Sequence, residues 1–124
     1  MYVAKFNQTE VEERPECKCY HILPKEIIAN LEAGVVITDP GGVSLSEAHT
    51  EWRQVFFMLE GSGTLILNQE EEIRVEPNMV IEIPYNKVHK IKADEGVPIR
   101  YLYVNDYSKP LRPACRQAGL ESHQ

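Results

Sequence analysis

Hydrophobic and polar residues alternate in many short stretches of this chain, and turn-forming residues separate the stretches. In an extended strand every second side chain lies on the same face, so each alternating stretch predicts a strand with one buried face. The sequences DPGG at residues 39–42 and EGSG at residues 60–63 predict tight turns. Short strands joined by such turns are typical of an all-β sandwich or barrel. The predicted strands are residues 17–23, 34–38, 43–49, 54–59, 64–67, 72–75, 79–83, 88–92 and 99–104.

Residues 25–31 fit either one helical turn or a loop, and the chain from Tyr107 onward is predicted to be irregular. The length of 124 residues predicts a single domain. No apolar run approaches the ~18 residues that cross a bilayer, and the N-terminus lacks the apolar core of a signal peptide, so we expect a cytosolic protein without a membrane partner. The formal net charge of −6, without a basic cluster, argues against a nucleic-acid partner.

Cys17, Cys19 and His21 lie two residues apart on one predicted strand and therefore share a face. One interpretation is part of a thiolate-rich zinc site, but a structural zinc site uses four ligands, and Cys115 stands alone in the tail. The interpretation that we favour is that the cysteines are reduced and pack as small hydrophobic residues.

Two stretches contain candidate functional side chains at defined spacing from turn-forming residues. In the first, Gly41 is followed by five residues, then Glu47, Ala48 and His49, four residues, Gln54, six residues and Gly61. In the second, Asn78 is followed by five residues and Pro84; Asn86 comes two residues later, His89 three residues after that, and Ala93 ends the stretch.

These stretches resemble the two motifs of the cupin superfamily, Gly-x5-His-x-His-x(3 or 4)-Glu-x6-Gly and Gly-x5-Pro-x-Gly-x2-His-x3-Asn. The spacing is retained, while two ligand positions of the first motif differ and the last Asn of the second is Ala93. Both glycines of the second motif are replaced by asparagine, which tolerates a positive φ better than most residues do. The resemblance implies an all-β cupin double-stranded β-helix (jelly-roll barrel) as one domain over residues 1–124, with its core at about residues 35–105.

The resemblance also implies a metal on the inner wall of the barrel, held by Glu47, His49, Gln54 and His89. Strand alternation agrees with this, because Glu47 and His49 project from one face. A carboxylate in an apolar interior needs a compensating cation or hydrogen bonds, and one divalent transition metal is the simplest cation. Glu51 shares the face of His49 and is an alternative carboxylate ligand. A barrel that has lost its metal is the competing interpretation.

Two histidines and one carboxylate are typical of non-haem Fe(II), so the predicted function is a metal-dependent enzyme, with a dioxygenase favoured. A non-redox lyase, isomerase or cyclase that uses Zn, Ni or Mn is the first alternative, although no general base outside the metal ligands is visible in the sequence. A non-catalytic barrel that binds a small molecule is the second.

The predicted partner is a small molecule, apolar or aromatic with one chelating end, because the predicted pocket residues are Phe56, Met58, Ile83 and Ile91. Arg100 could instead face the cavity and pair with a substrate carboxylate, but Tyr101 and Tyr103 have the opposite parity, and only one set can point inward. The resemblance implies a homodimer, in which the strand Cys17–Leu23 and the proline-bearing tail are the candidate contact elements.

Overall fold

A computed structural model describes residues 1–44 and 52–108 of the chain. In this part of the chain a 3₁₀ turn at Phe6–Gln8 precedes nine β-strands, and there is no α-helix. The strands are β1 (Glu10–Glu13), β2 (Cys17–Leu23), β3 (Leu31–Thr38), β4 (Arg53–Glu60), β5 (Gly63–Leu67), β6 (Glu71–Val75), β7 (Val80–Ile83), β8 (His89–Ala93) and β9 (Ile99–Asp106).

The described strands form two antiparallel sheets. The larger has the order β1-β2-β3-β9-β4-β7, and the smaller has the order β6-β5-β8. The last strand, β9, pairs along its whole length with β3 on one side and from Arg100 to Asp106 with β4 on the other. The middle of the large sheet is therefore built from strands that are far apart in the sequence, as the jelly-roll prediction requires.

The core lies between the inner faces of the two sheets. Met58, Leu65, Ile91 and Ile99 are at most 1% exposed. Burial alternates strictly along β9, so Tyr101 and Tyr103 point inward, while Arg100 pairs with Glu60 outside the core. The two tyrosines, and not Arg100, are therefore the inward set on β9, which the sequence alone did not decide.

The predicted strands agree with the observed ones to within a few residues, with two exceptions. The strand predicted over residues 43–49 falls largely outside the described residues; Val43 alone forms an isolated bridge with Lys92. The strand β1 was not predicted, because its four residues, EVEE, are all exposed and show no buried face. Residues 25–30 form turns rather than a helix and Leu31 begins β3, and the predicted irregular tail lies outside the described residues from residue 109 onward.

The two asparagines that replace motif glycines adopt left-handed backbone conformations, with φ of 72° at Asn78 and 62° at Asn86. The prediction that these positions need a positive φ is confirmed. The two glycines of the first stretch, Gly41 and Gly61, also have positive φ values, of 71° and 79°. All four positions therefore form the turns that the family spacing requires.

Candidate metal and ligand site

A cavity of about 280 Å³ lies against the inner face of the large sheet. Its wall combines aromatic rings with ionisable and amide side chains, so it suits a ligand with both a planar apolar body and polar groups. The aromatic lining residues are Trp52, Phe56, Tyr101, Tyr103 and Tyr107. The polar and ionisable ones are Glu12, Arg14, Cys17, Cys19, His21, Glu32, Ser44, Gln54, His89 and Asn105.

Gln54 and His89 meet in this wall although they lie on different sheets, and both are buried. The imidazole Nδ1 of His89 lies 3.0 Å from the carbonyl oxygen of Lys87, so Nδ1 carries a hydrogen and donates it. The other ring nitrogen, Nε2, faces the side-chain oxygen of Gln54 at 3.0 Å. Nε2 of a neutral ring then has a lone pair that faces the lone pairs of a buried oxygen.

This arrangement needs a positive charge, which either a second proton on His89 or a metal ion can supply. Adjacent ligands around a six-coordinate ion with bonds of ~2.1 Å lie about 3.0 Å apart, which matches the separation of His89 Nε2 and Gln54 Oε1. A hydrogen bond from Nδ1 to a backbone carbonyl is also the usual way in which a protein orients a metal-binding histidine. The two side chains therefore fit a metal.

A chain of hydrogen bonds sets the orientation of the Gln54 amide. Gln54 Nε2 donates to Asn105 Oδ1 at 2.8 Å, and Asn105 Nδ2 donates to Glu32 Oε1 at 2.8 Å. The hydroxyl of Tyr107 donates to the same carboxylate oxygen at 2.8 Å. Because an ionised carboxylate only accepts, Asn105 must present its nitrogen to Glu32 and its oxygen to Gln54, which leaves the Gln54 oxygen facing His89.

A second cluster of polar side chains lies in the wall formed by β1, β2 and β9. The Tyr103 hydroxyl lies 3.3 Å from the Cys19 sulfur and 3.3 Å from Nδ1 of His21. His21 Nε2 lies 3.3 Å from a carboxylate oxygen of Glu12. Burial raises the pKa of the Cys19 thiol and that of the Tyr103 phenol, so both keep their protons at neutral pH when no cation is near.

Of the four predicted pocket residues, the structure places Phe56 in the cavity wall. Met58, Ile83 and Ile91 belong to the buried core and are not among the described lining residues. Of the predicted metal ligands, Gln54 and His89 are brought together as described. The other two, Glu47 and His49, and the alternative carboxylate Glu51, lie outside the described residues.

Cys17, Cys19 and His21 share one face, as predicted from their spacing, and all three line the cavity. Cys17 packs in the core at 5% exposure, and neither it nor Cys19 forms a disulfide with another described residue. Glu12, Glu32 and Asn105 were missed by sequence reasoning. Strand parity could have paired Asn105 with Tyr103 on one face, but nothing in the sequence shows that β1 joins this sheet.

The comparisons with known proteins agree with this fold. A family model described as "Cupin domain" matches residues 34–105, which is more than half of the chain. The chain is a member of the cupin family. No curated protein matches.

Solved structures with the same fold cover nearly the whole chain at low sequence identity. The polyketide cyclase RemF from Streptomyces resistomycificus is 23% identical with a TM-score of 0.73, over 90% of this chain and 82% of that one. A predicted oxalate decarboxylase from Thermotoga maritima is 16% identical with a TM-score of 0.74, over 86% and 100%. Ectoine synthase from P. lautus is 14% identical with a TM-score of 0.76, over 96% and 86%. At these identities the likeness shows the fold alone.

Within the described residues, no helix has the length and apolar character needed to cross a membrane.

Proposed function

We propose that this protein is a metal-dependent enzyme that transfers protons on a small aromatic carbonyl compound bound in the cavity. The reaction class is a non-redox isomerisation, cyclisation or elimination. The observation that carries the proposal is the buried pair of His89 Nε2 and Gln54 Oε1, which face each other at 3.0 Å in the wall of a cavity of about 280 Å³. Such a pair fits an ion that a substrate in the cavity can reach.

The metal ligands that we assign are Gln54 and His89, together with Glu47 and His49 of the first motif. Glu51 is the alternative carboxylate. When bound, the metal acts as a Lewis acid that polarises a carbonyl or an enolate oxygen of the substrate. The aromatic wall formed by Trp52, Phe56 and the three inward tyrosines would hold a planar ring beside it.

The ionisable side chains in the cavity wall favour a proton-transfer reaction. Glu32 is the side chain that we assign to accept a substrate proton, because its carboxylate lines the cavity and two donors hold its Oε1 in place.

A second candidate is the Fe(II) dioxygenase suggested by the sequence. It is favoured by the predicted ligand set of two histidines and one carboxylate, and it requires no protein base. One solved structure with this fold is a polyketide cyclase, and cyclisation belongs to the reaction class that we place first.

The first test is metal analysis of the protein as purified. We expect close to one equivalent of Fe, Zn, Ni or Mn at the barrel site, and its loss from a His49→Ala/His89→Ala variant. His123→Ala removes one imidazole from the tail and is the matched control, so it should keep the metal. A wild-type protein that stays metal-free after incubation with each ion would instead favour a barrel that only binds small molecules.

The second part of the test follows the chemistry. Aryl β-dicarbonyl compounds are incubated with the loaded protein in D₂O under nitrogen, and hydrogen exchange at the acidic carbon is followed by NMR. Metal-dependent exchange supports proton transfer. Oxygen consumption in air without such exchange supports the dioxygenase.

The amide chain from Gln54 to Glu32 yields a separate prediction. Asn105→Leu removes the acceptor that holds the Gln54 amide, so the amide can rotate and metal affinity should fall about tenfold, as is usual when a partner of a ligand is lost. Tyr107→Phe removes the other donor to Glu32 but leaves the acceptor towards Gln54, so it should retain most of the affinity. The measurement is competition with a chromophoric chelator. Equal losses in the two variants would show that the amide chain does not set the orientation of Gln54.

Assembly and location are proposals as well. A cytosolic homodimer fits the family resemblance. In the described chain β2 is paired on both sides, with β1 and with β3, so the edges of the large sheet are β1 and β7. A dimer that extends this sheet at its N-terminal hairpin would therefore pair through β1 rather than through β2.

A further inference from the structure

We propose that Glu12, Cys19 and His21 form a second metal site, selective for zinc, in the wall of the cavity. The three side chains come from β1 and β2, and none of them is a ligand of the barrel site described above. Their ligand atoms all lie within 4.8 Å of one another. A molecule bound in the cavity could then contact both the barrel metal and the metal of this second site.

Strand pairing places the three donors together. Glu12 lies directly opposite Cys19 in the register of β1 and β2, and alternation puts His21 on the face of Cys19. His21 Nε2 and Glu12 Oε1 are 3.3 Å apart. Neighbouring ligands on tetrahedral zinc with bonds of ~2.0 Å are separated by about 3.3 Å, so this pair already has the spacing of two zinc ligands.

Neighbouring groups orient the donors towards one point. Arg14 holds the other carboxylate oxygen, Oε2, of Glu12 at 2.7 Å, which leaves Oε1 directed at His21. The Tyr103 hydroxyl bridges Nδ1 of His21 and the sulfur of Cys19. If Nδ1–H donates to the Tyr103 oxygen and the Tyr103 hydroxyl donates to a Cys19 thiolate, the lone pair of Nε2 is left for the metal. A shared partner of this kind fixes both ligands.

The donor set selects the ion. A thiolate is a soft ligand and an imidazole a borderline one, while a single carboxylate adds charge; together they suit Zn²⁺ better than Mg²⁺ or Ca²⁺. Three protein ligands leave the fourth tetrahedral position to water or to a ligand group, as in catalytic zinc sites. Since all three residues line the cavity, that position would be accessible from it.

The experiment is a titration of the metal-free protein with Co²⁺, a spectroscopic substitute for Zn²⁺. Only a thiolate ligand produces a sulfur-to-cobalt charge-transfer band in the near ultraviolet. We expect the band in the wild-type protein, its displacement by Zn²⁺, and its loss in Cys19→Ser. Cys17→Ser is the matched control, because Cys17 lies on the same face of the same strand but outside the cluster, and it should keep the band.

His89→Ala separates this proposal from the proposed function. The variant should lose the barrel metal and keep the charge-transfer band. A wild-type protein without the band, or a band that survives in Cys19→Ser, would overturn the second site and leave the barrel site untouched. Glu12→Gln gives a further check: it keeps the shape of the side chain and should weaken zinc binding at least tenfold if the carboxylate is a ligand.

Discussion

Replacement of His89 with alanine is expected to lower the affinity of the barrel for a divalent metal by more than 100-fold. Loss of a residue that only hydrogen-bonds to a metal ligand lowers metal affinity about 10–100-fold, and His89 is itself a proposed ligand. The variant leaves the Gln54 oxygen without the nitrogen that now lies 3.0 Å from it. The measurement is metal content after equilibrium dialysis against buffered metal, together with an unfolding curve in chelator to show that the fold is retained.

The control tests which residues of the first motif supply the carboxylate. Glu47→Ala should reduce metal content strongly, whereas Glu51→Ala should leave most of it in place. If His89→Ala and Glu51→Ala lower metal content equally, the assigned ligand register is wrong. If His89→Ala binds metal as well as the wild-type protein does, the Gln54–His89 pair is held by a proton on the imidazole and the metal proposal fails.

Gly61→Ala is expected to destabilise the fold by about 3–4 kcal/mol, among the largest effects of a single substitution. Gly61 has a φ of 79°, and a Cβ at this position would overlap the carbonyl oxygen of Pro98 and lie 3.0 Å from the Cα of Ile99. Both neighbours are backbone atoms, so neither can move aside by changing a rotamer. The measurement is urea unfolding of the metal-free protein.

Gly96→Ala is the matched control for Gly61→Ala. Its φ of 96° is equally unusual for alanine, but a Cβ there would meet no atom within 4 Å. This variant carries the conformational cost alone, about 1–2 kcal/mol. Equal losses of stability in the two variants would mean that the contact with Pro98 contributes nothing.

Much of the barrel could be predicted because motif spacing and turn residues are local features of the sequence. The spacing around Gln54 and His89 fixed which strands carry them, and the structure brings the two side chains together. The turn positions of the second stretch could also be predicted, since asparagine at Asn78 and Asn86 keeps the positive φ that glycine would give.

The rest depends on pairing between distant segments, which one sequence does not reveal. Strand β1 has the sequence EVEE, and its exposed residues give no hydrophobic period by which to recognise a strand. Which alternate residues of β9 point inward becomes clear only when the pairing of β9 with β3 and β4 is known. Met58 and Ile91 are buried in the core together with Phe56, which also lines the cavity.

The segment that defines the family and the segments that complete the cavity are different parts of the chain. The family match covers residues 34–105, while Glu12, Cys19, His21, Glu32 and Tyr107 lie outside it. The N-terminal hairpin of β1 and β2 therefore supplies one part of the cavity wall, while residues within the family match, among them Gln54, Phe56 and His89, supply most of the rest. Because β1 is exposed, changes at Glu12 are expected to alter which molecule the cavity accepts while leaving the packing of the core in place.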